Sequence, residues 1–335
     1  MENNVRILRY FVSSEDGEIT VKKVMAEKLR LSSREIIRCK QFEDGVMVLR
    51  HAGLKEYEKD TCAEDLRKYH YGNGNEPASV RIKDTLQPGD ELIVKVYEDV
   101  ENASEIVPWD TPIDIVYEDE DIILVNKPGD MVVHPSYAHF RDSLSNALAG
   151  YYEKTGQNHV IRTIGRLDRV TSGLLIFAKN RHSAAVLSNQ KDHMSRRKEY
   201  LALCHGVFDK KEGTVDAPIG QVEGERMIRN VMDSGKEAIT HFKVIKQYSD
   251  FALVRLKLDT GRTHQIRVHM KYIGHALLGD SLYGKEIPDN HGMTRAALHA
   301  AHLEFLHPVT EKELSFEADL PDDMKKLLQD DFLLT

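Results

Sequence analysis

Gly165-Arg166-Leu167-Asp168-Arg169-Val170-Thr171-Ser172-Gly173 sets an aspartate between two arginines in a loop-like segment. Directly after it comes Leu174-Leu175-Ile176-Phe177-Ala178, a run with the composition of a buried strand. A carboxylate so placed can be a nucleophile, one half of a surface ion pair, or a cap on the turn. The residues alone leave all three open.

Further strand signals lie on both sides of this stretch. Ile113 to Tyr117 and Asp121 to Val125 are joined by an acidic turn and predict a hairpin. Lys198 to Cys204 alternates, putting Tyr200, Ala202 and Cys204 on one face, and Phe251 to Asp259 carries Val254, Leu256 and Leu258 opposite Arg255, Lys257 and Asp259. Ser183 to Gln190 reads as a short helix. Another is expected between Thr263, a suitable N-cap, and Gly274, a suitable stop, with Ile266, Met270 and Ile273 on its apolar face. His264, Arg267 and Lys271 share a second face, which reads as solvated.

The first part of the chain has a different pattern. Residues 1–97 predict the order helix, helix, strand, strand: Val21, Val24, Met25 and Leu29 recur at helical spacing, and Ser32-Ser33-Arg34-Glu35 opens a second helix. Val46 to Leu49 and Leu92 to Val96 read as strands, the latter entered through the turn Gln87-Pro88-Gly89-Asp90. Residues 55–79 read as an insertion with an exposed Gly72-Asn73-Gly74-Asn75 loop, and 98–110 as an acidic linker, leaving 111–335 as the large domain.

With 335 residues and 41% hydrophobic content the chain can build a large domain and a small one. No apolar run reaches membrane-span length, the first residues do not read as a secretory signal, and a cytoplasmic location is expected. Cys39, Cys62 and Cys204 lie far apart, which argues against a disulfide framework or a structural zinc site. His299-Ala300-Ala301-His302 with Glu304 and His307, and His264 with His269, lack metalloprotease-like spacing. Leu298, Leu303, Phe305 and Leu306 make the first of these groups an interior strand. The net charge of −8 hides an uneven distribution. Acids crowd Glu98 to Asp121 and the C-terminal end, whereas Arg162, Arg166, Arg169, Lys179, Arg181, Lys191, Arg196, Arg197 and Lys198 surround Asp168 with few opposing acids.

Four more segments stand in order around or after the opening stretch: Asn126-Lys127-Pro128-Gly129-Asp130-Met131-Val132-Val133-His134-Pro135, Arg197-Lys198-Glu199-Tyr200, Thr260 to His269, and Gly274 to Asp280 with Tyr283-Gly284. Together they resemble the RluA-type pseudouridine synthases, from near Trp109 to near Leu320. Gly165 stands where that family most often has His, and Ala276 where it usually has Pro. The resemblance implies an α+β fold, with a mixed, mainly antiparallel central sheet flanked by helices and loops, and isomerisation of uridine to pseudouridine in RNA. It implies Asp168 as nucleophile, Tyr200 against the uracil, and Arg267 paired with the aspartate. Arg166, Arg169, Arg196, Arg197, Lys198 and Arg262 are then expected to contact RNA.

The N-terminal part resembles a divergent S-four-like RNA-binding domain, implying RNA contacts by Arg34 and Arg38; a small α+β domain without such contacts is the alternative. Ribosomal RNA is the expected substrate, transfer RNA the second choice, with no metal or cofactor and with the chain acting as a monomer. Two competing readings are a catalytically silent RNA-binding or ribosome-assembly protein and a hydrolase using Asp168. Intact Asp168, Tyr200 and Arg267 argue against the first, and the lack of a suitably spaced partner carboxylate against the second.

Overall fold

The computed structural model describes residues 5–50, 76–97, 106–190, 196–225, 227–287 and 290–329. The chain divides into two units, one comprising residues up to 104 with Asn180–Val186, the other 105–179 with 187–335.

In the first unit, β1 (Val5–Phe11) precedes β2 (Ile19–Thr20) and α1 (Val21–Lys23), which runs on into a π-turn at Val24–Lys28. Helix α2 (Ser33–Cys39) starts where the sequence predicts, because Ser32 and Glu35 form a capping box. Strands β3 (Val46–Leu49), β4 (Ala78–Ser79), β5 (Thr85–Leu86) and β6 (Glu91–Tyr97) follow, and a four-stranded sheet has the order β1-β6-β3-β4. Strand β1 corrects the expected order: Arg6 and Arg9 interrupt its apolar alternation, and it is held by full antiparallel register with β6 and an Arg9–Glu91 ion pair at 3.0 Å. Most of the expected insertion, Gly72 to Asn75 included, lies outside the described residues, but its end is ordered as β4, where Ala78 pairs with Val48.

The second unit is built on a sheet of ten described strands. Its path is β12 (Glu212–Asp216), β15 (Ile239–Gln247), β16 (Phe251–Leu258), β11 (Arg196–His205), β17 (Leu298–Leu306), β10 (Ser172–Ala178), β8 (Ile122–Lys127) and β7 (Ile115–Glu118). Strand β18 (Glu313–Glu317) adds to β17, and β9 (Arg162–Ile164) to β10, while β13 (Ile219–Gln221) and β14 (Arg229–Val231) form a separate antiparallel ribbon. All these pairs are antiparallel except β10 with β17, which is limited to Ser172 with His299 and Gly173 with Ala300. That contact requires glycine: Gly173 has φ +111°, and a Cβ there would lie 2.3 Å from the Ala300 carbonyl oxygen.

Strand β10 is buried along its whole length, as its unbroken apolar run predicts. The main core packs Ile123, Val125, Leu175, Phe177, Ala202, Val254 and Leu256 with Leu144 and Leu148 of α3 (Leu144–Lys154) and Ile266 and Met270 of α5 (Gln265–Tyr272). A second cluster joins Leu203, Phe251 and Leu278 to Met324 of α6 (Asp322–Gln329). The expected helix α4 forms at Arg181–Asn189. The end of the acidic stretch belongs to this unit rather than to a linker: the Trp109 N–H donates to the Asn146 carbonyl, Asn146 Nδ2 to Val107 O, and Lys154 pairs with Asp110.

The acidic turn is likewise not an open charged surface. Glu118 accepts from Tyr151, Gln157 and the buried Lys179, removing that lysine from the basic face expected around Asp168. No helix among the described residues is long and apolar enough to cross a membrane.

Candidate active site

Beside the short β10–β17 contact lies a cavity of about 410 Å³. Gly165 to Asp168 form one wall, Lys198 and Tyr200 of β11 another, Leu298 and Leu303 of β17 contribute apolar surface, and Asp259 to Arg267 close it. It therefore draws its lining from strand ends and from the turn entering α5, positions a sheet holds firmly. Tyr200 is buried and sits at a register shift of β11 against β17, with the Lys198 ammonium 5.4 Å from its ring centroid.

Arg267 is 3% exposed and makes a bidentate pair with Asp280, Nε to Oδ2 at 2.7 Å and Nη2 to Oδ1 at 2.6 Å. Its Nη1 lies 4.0 Å from Asp168 Oδ2. The fork expected to grip Asp168 thus grips Asp280, a fully buried carboxylate that also accepts the N–H groups of Leu282 and Tyr283. A buried carboxylate demands the complete partner, so Asp168, with a side chain 25% exposed, faces only the remaining nitrogen. Burial opposes the charge on Arg267, but Asp280 and then Asp168 outweigh it and raise its pKa. The cation is a permanent one.

Two other buried cations hold the backbone of the Asp168 loop from behind. Lys127, 0% exposed, donates to the carbonyls of Pro128, Met131 and Arg169 at 2.7, 2.8 and 3.1 Å. Burial, with Arg295 nearby, pulls its pKa down to about 7. Arg295 donates Nη1 to the Val170 carbonyl at 3.0 Å and uses Nε and Nη2 to bind Asp323 of α6. Gly129 lies against this arginine, where a Cβ would come 2.4 Å from Nε. Asp168 itself accepts the Thr171 N–H through its own carbonyl, closing the turn.

Of the expected site residues, Asp168, Tyr200, Arg267, Arg166, Lys198 and Arg262 come together around the cavity. Arg166 Nη2 donates to Thr263 Oγ1 at 3.1 Å, and Arg262 Nε to the Glu237 carbonyl at 2.8 Å. Arg169 does not join them: its exposed side chain turns to Asp130, 3.7 Å away. Arg197 faces Glu304 across the β11–β17 pair at 3.4 Å, so an acid opposes it after all. The Arg196 side chain lies outside the described residues, and Arg34 and Arg38 belong to α2 of the other unit.

Thr263 does not cap α5; its hydroxyl serves Arg166, and the N-cap position falls to His264, whose φ is +58°. The face read as solvated is buried at His264 and Arg267 and exposed only at Lys271. The helix does end at Gly274, whose N–H returns to Lys271 while His275 returns to Met270.

The histidines weighed as metal ligands each have a partner of another kind. His269 bonds Thr240 and the Ala217 carbonyl, His299 bonds Ser172, and His302 bonds Ser315. His307 lies close to Asp119 and Asp121, but Asp119 accepts from Tyr117, His307 and the N–H groups of Asp121 and Ile122, which makes the cluster a turn latch. Sequence reasoning assigns no role to Asp280, which stands in a quoted motif, or to Arg295, around which nothing marks it; Lys127-Pro128-Gly129 reads from sequence as a structural loop element near the pocket, and its lysine does brace that loop.

An aspartate facing a buried guanidinium and a tyrosine in a cavity of this size, with cations at its rim, suit an enzyme that acts on a base of a nucleic acid. Comparison with known proteins agrees. Residues 121–272 match the RNA pseudouridylate synthase family. The uncharacterized RNA pseudouridine synthase YjbO of Bacillus subtilis is 42% identical over 251 residues, 75% of this chain and 87% of that protein. Ribosomal large subunit pseudouridine synthase D of Zymomonas mobilis is 39% identical over 66% of this chain and 74% of its own length. Among solved structures, human RNA pseudouridylate synthase domain containing 1 superposes with a TM-score of 0.53 at 25% identity, covering 67% of this chain and 96% of that one. The chain belongs to the RNA pseudouridine synthase family, in its RluA-type branch.

Proposed function

We propose that Asp168 is the nucleophile, that Tyr200 lies against the uracil and handles a proton, and that Arg267 orients Asp168 from its fixed place on Asp280. The reaction breaks the N1–C1′ bond of a uridine and joins C5 to C1′, and the proton displaced from C5 is balanced by one gained at N1. The formula is unchanged, so the stoichiometry calls for no oxidant, hydrolytic water or metal. What the protein must supply is a carboxylate to engage the sugar or the ring, a proton carrier, and a chamber for the detached base. The observation that carries this reading is the partly exposed Asp168 carboxylate on the cavity wall, facing a buried guanidinium that a second carboxylate immobilises. Such preorganisation costs nothing at the moment of reaction.

Ribosomal RNA is the proposed substrate. Relatives named ribosomal large subunit pseudouridine synthase D support it, as do the cations Arg166, Lys198 and Arg262 at the cavity. Arg34 and Arg38 on α2 are proposed to add RNA contacts. The chain is proposed to act as a monomer in the cytoplasm, a reducing compartment that suits the free buried thiols of Cys39 and Cys204.

The test is Asp168→Asn, which removes charge and little volume. Conversion of uridine in ribosomal RNA from cells lacking the gene should be abolished while RNA affinity stays within about twofold, since phosphate contacts dominate binding. Wild-type turnover by the purified variant would overturn the assignment.

A further inference from the structure

His264 stands where the chain turns from β16 into α5, with φ +58° and ψ +18°, a left-handed backbone in which histidine, like asparagine and aspartate, is found more often than most side chains. Its ring is turned inward, 8% exposed, and lines the same cavity as Asp168 and Tyr200.

What fixes the ring is Tyr283. The Tyr283 hydroxyl accepts the Arg229 N–H at 3.0 Å and lies 2.9 Å from His264 Nδ1, a geometry in which its own proton can be given to that nitrogen. The Tyr283 ring is held in turn, edge-on to His264 and 5.0 Å from the Arg267 guanidinium. With Nδ1 accepting, the imidazole proton sits on Nε2, which makes no hydrogen bond among the described residues. Burial first, with Arg267 and Arg229 adding and Asp168 and Asp280 opposing, lowers the His264 pKa and keeps the ring neutral at pH 7.

We infer that His264 is a substrate-contacting residue whose Nε2–H donates to a carbonyl oxygen of the uracil and holds the base while it turns. The inference rests on the reading of Asp168 as nucleophile. A base carbonyl fits better than a phosphate, because the exposed cations Arg166 and Arg262 occupy the more open part of the same lining, whereas His264 is a buried neutral donor. A single neutral N–H inside an apolar-backed cavity matches an uncharged acceptor.

The test uses the full-length protein and ribosomal RNA from cells lacking the gene, tritiated at uracil C5, with single-turnover tritium release at saturating enzyme. His264→Gln places an amide donor near Nε2 and is expected within about threefold of wild type, whereas His264→Asn, which suits the left-handed backbone but is too short, and His264→Phe, which keeps the ring, should each be slower by about 100-fold. RNA affinity and melting temperature should stay near wild type for the asparagine variant, so a purely structural role would leave its rate unchanged. Fast turnover by His264→Asn or His264→Phe overturns the inference, and so does His264→Gln as slow as His264→Phe. Asp168→Asn in the same assay separates the two readings: if it is inactive while His264→Asn is fast, only the role of His264 falls.

Discussion

Lys127 shows how much one side chain can carry. A fully buried ammonium is costly unless all three of its protons are taken, and here three main-chain carbonyls take them. Lys127→Met fills the volume but leaves those oxygens unsatisfied, and we expect it to lower stability by about 3 kcal/mol, measured by urea unfolding. The pH dependence has a definite sign. The folded lysine releases its proton near pH 7 and the unfolded one only near about 10.4, so between these values the unfolded state holds more protons. The stability of the wild type relative to Lys127→Met should therefore rise as pH goes from 7 towards 10. A flat difference across that range would show that the folded ammonium keeps its proton throughout.

Among the elements, the β10–β17 contact decides where the cavity opens. Gly173→Ala would drive a methyl group into the Ala300 carbonyl and should cost about 3 kcal/mol or more, with slowed turnover, checked by thermal unfolding and single-turnover rate. An alanine variant of unchanged melting temperature would mean that the strands part without loss. The strands themselves were legible because alternation and apolar runs record burial: β8, β10, β11 and β16 fall where the pattern puts them. Strand β1 was not, since its pairing with β6 spans some eighty residues of sequence and its arginines break the alternation. In the site, Asp168, Tyr200 and Arg267 were legible through ordered motifs. The Asp280 fork and the Arg295 bridge to Asp323 were not, because a local pattern does not announce which distant charge a buried one will meet. The turn into α5 misled for a related reason: Thr263 has the chemistry of a cap, but a partner 97 residues away takes its hydroxyl.

For the whole molecule, a net charge of −8 and an RNA substrate are compatible because binding responds to local potential rather than to the total. The second unit contains the complete cavity, its own core and the segment 106–110 that crosses α3. Residues 105–335, which add only Asn180–Val186 of the first unit to the second, are therefore expected to fold alone and to isomerise bound uridine within about tenfold of the full chain, while RNA affinity falls and its salt dependence flattens if the phosphate contacts proposed for the N-terminal unit are lost. Circular dichroism and tritium release check the first part, and binding across a salt series the second. Undiminished affinity would make the N-terminal unit a passenger in RNA recognition. The bracing of the Asp168 loop has a further effect, on which substitutions it tolerates. Lys127 and Arg295 grip main-chain oxygens, which every amino acid offers alike, so the path of the loop just after the aspartate does not depend on which side chains residues 169 and 170 carry. Positions 166 and 169 can therefore change side chain without loosening that grip, whereas Gly165, at φ +83°, is held to glycine by its backbone. What the loop presents at its rim is separable from what holds it in place.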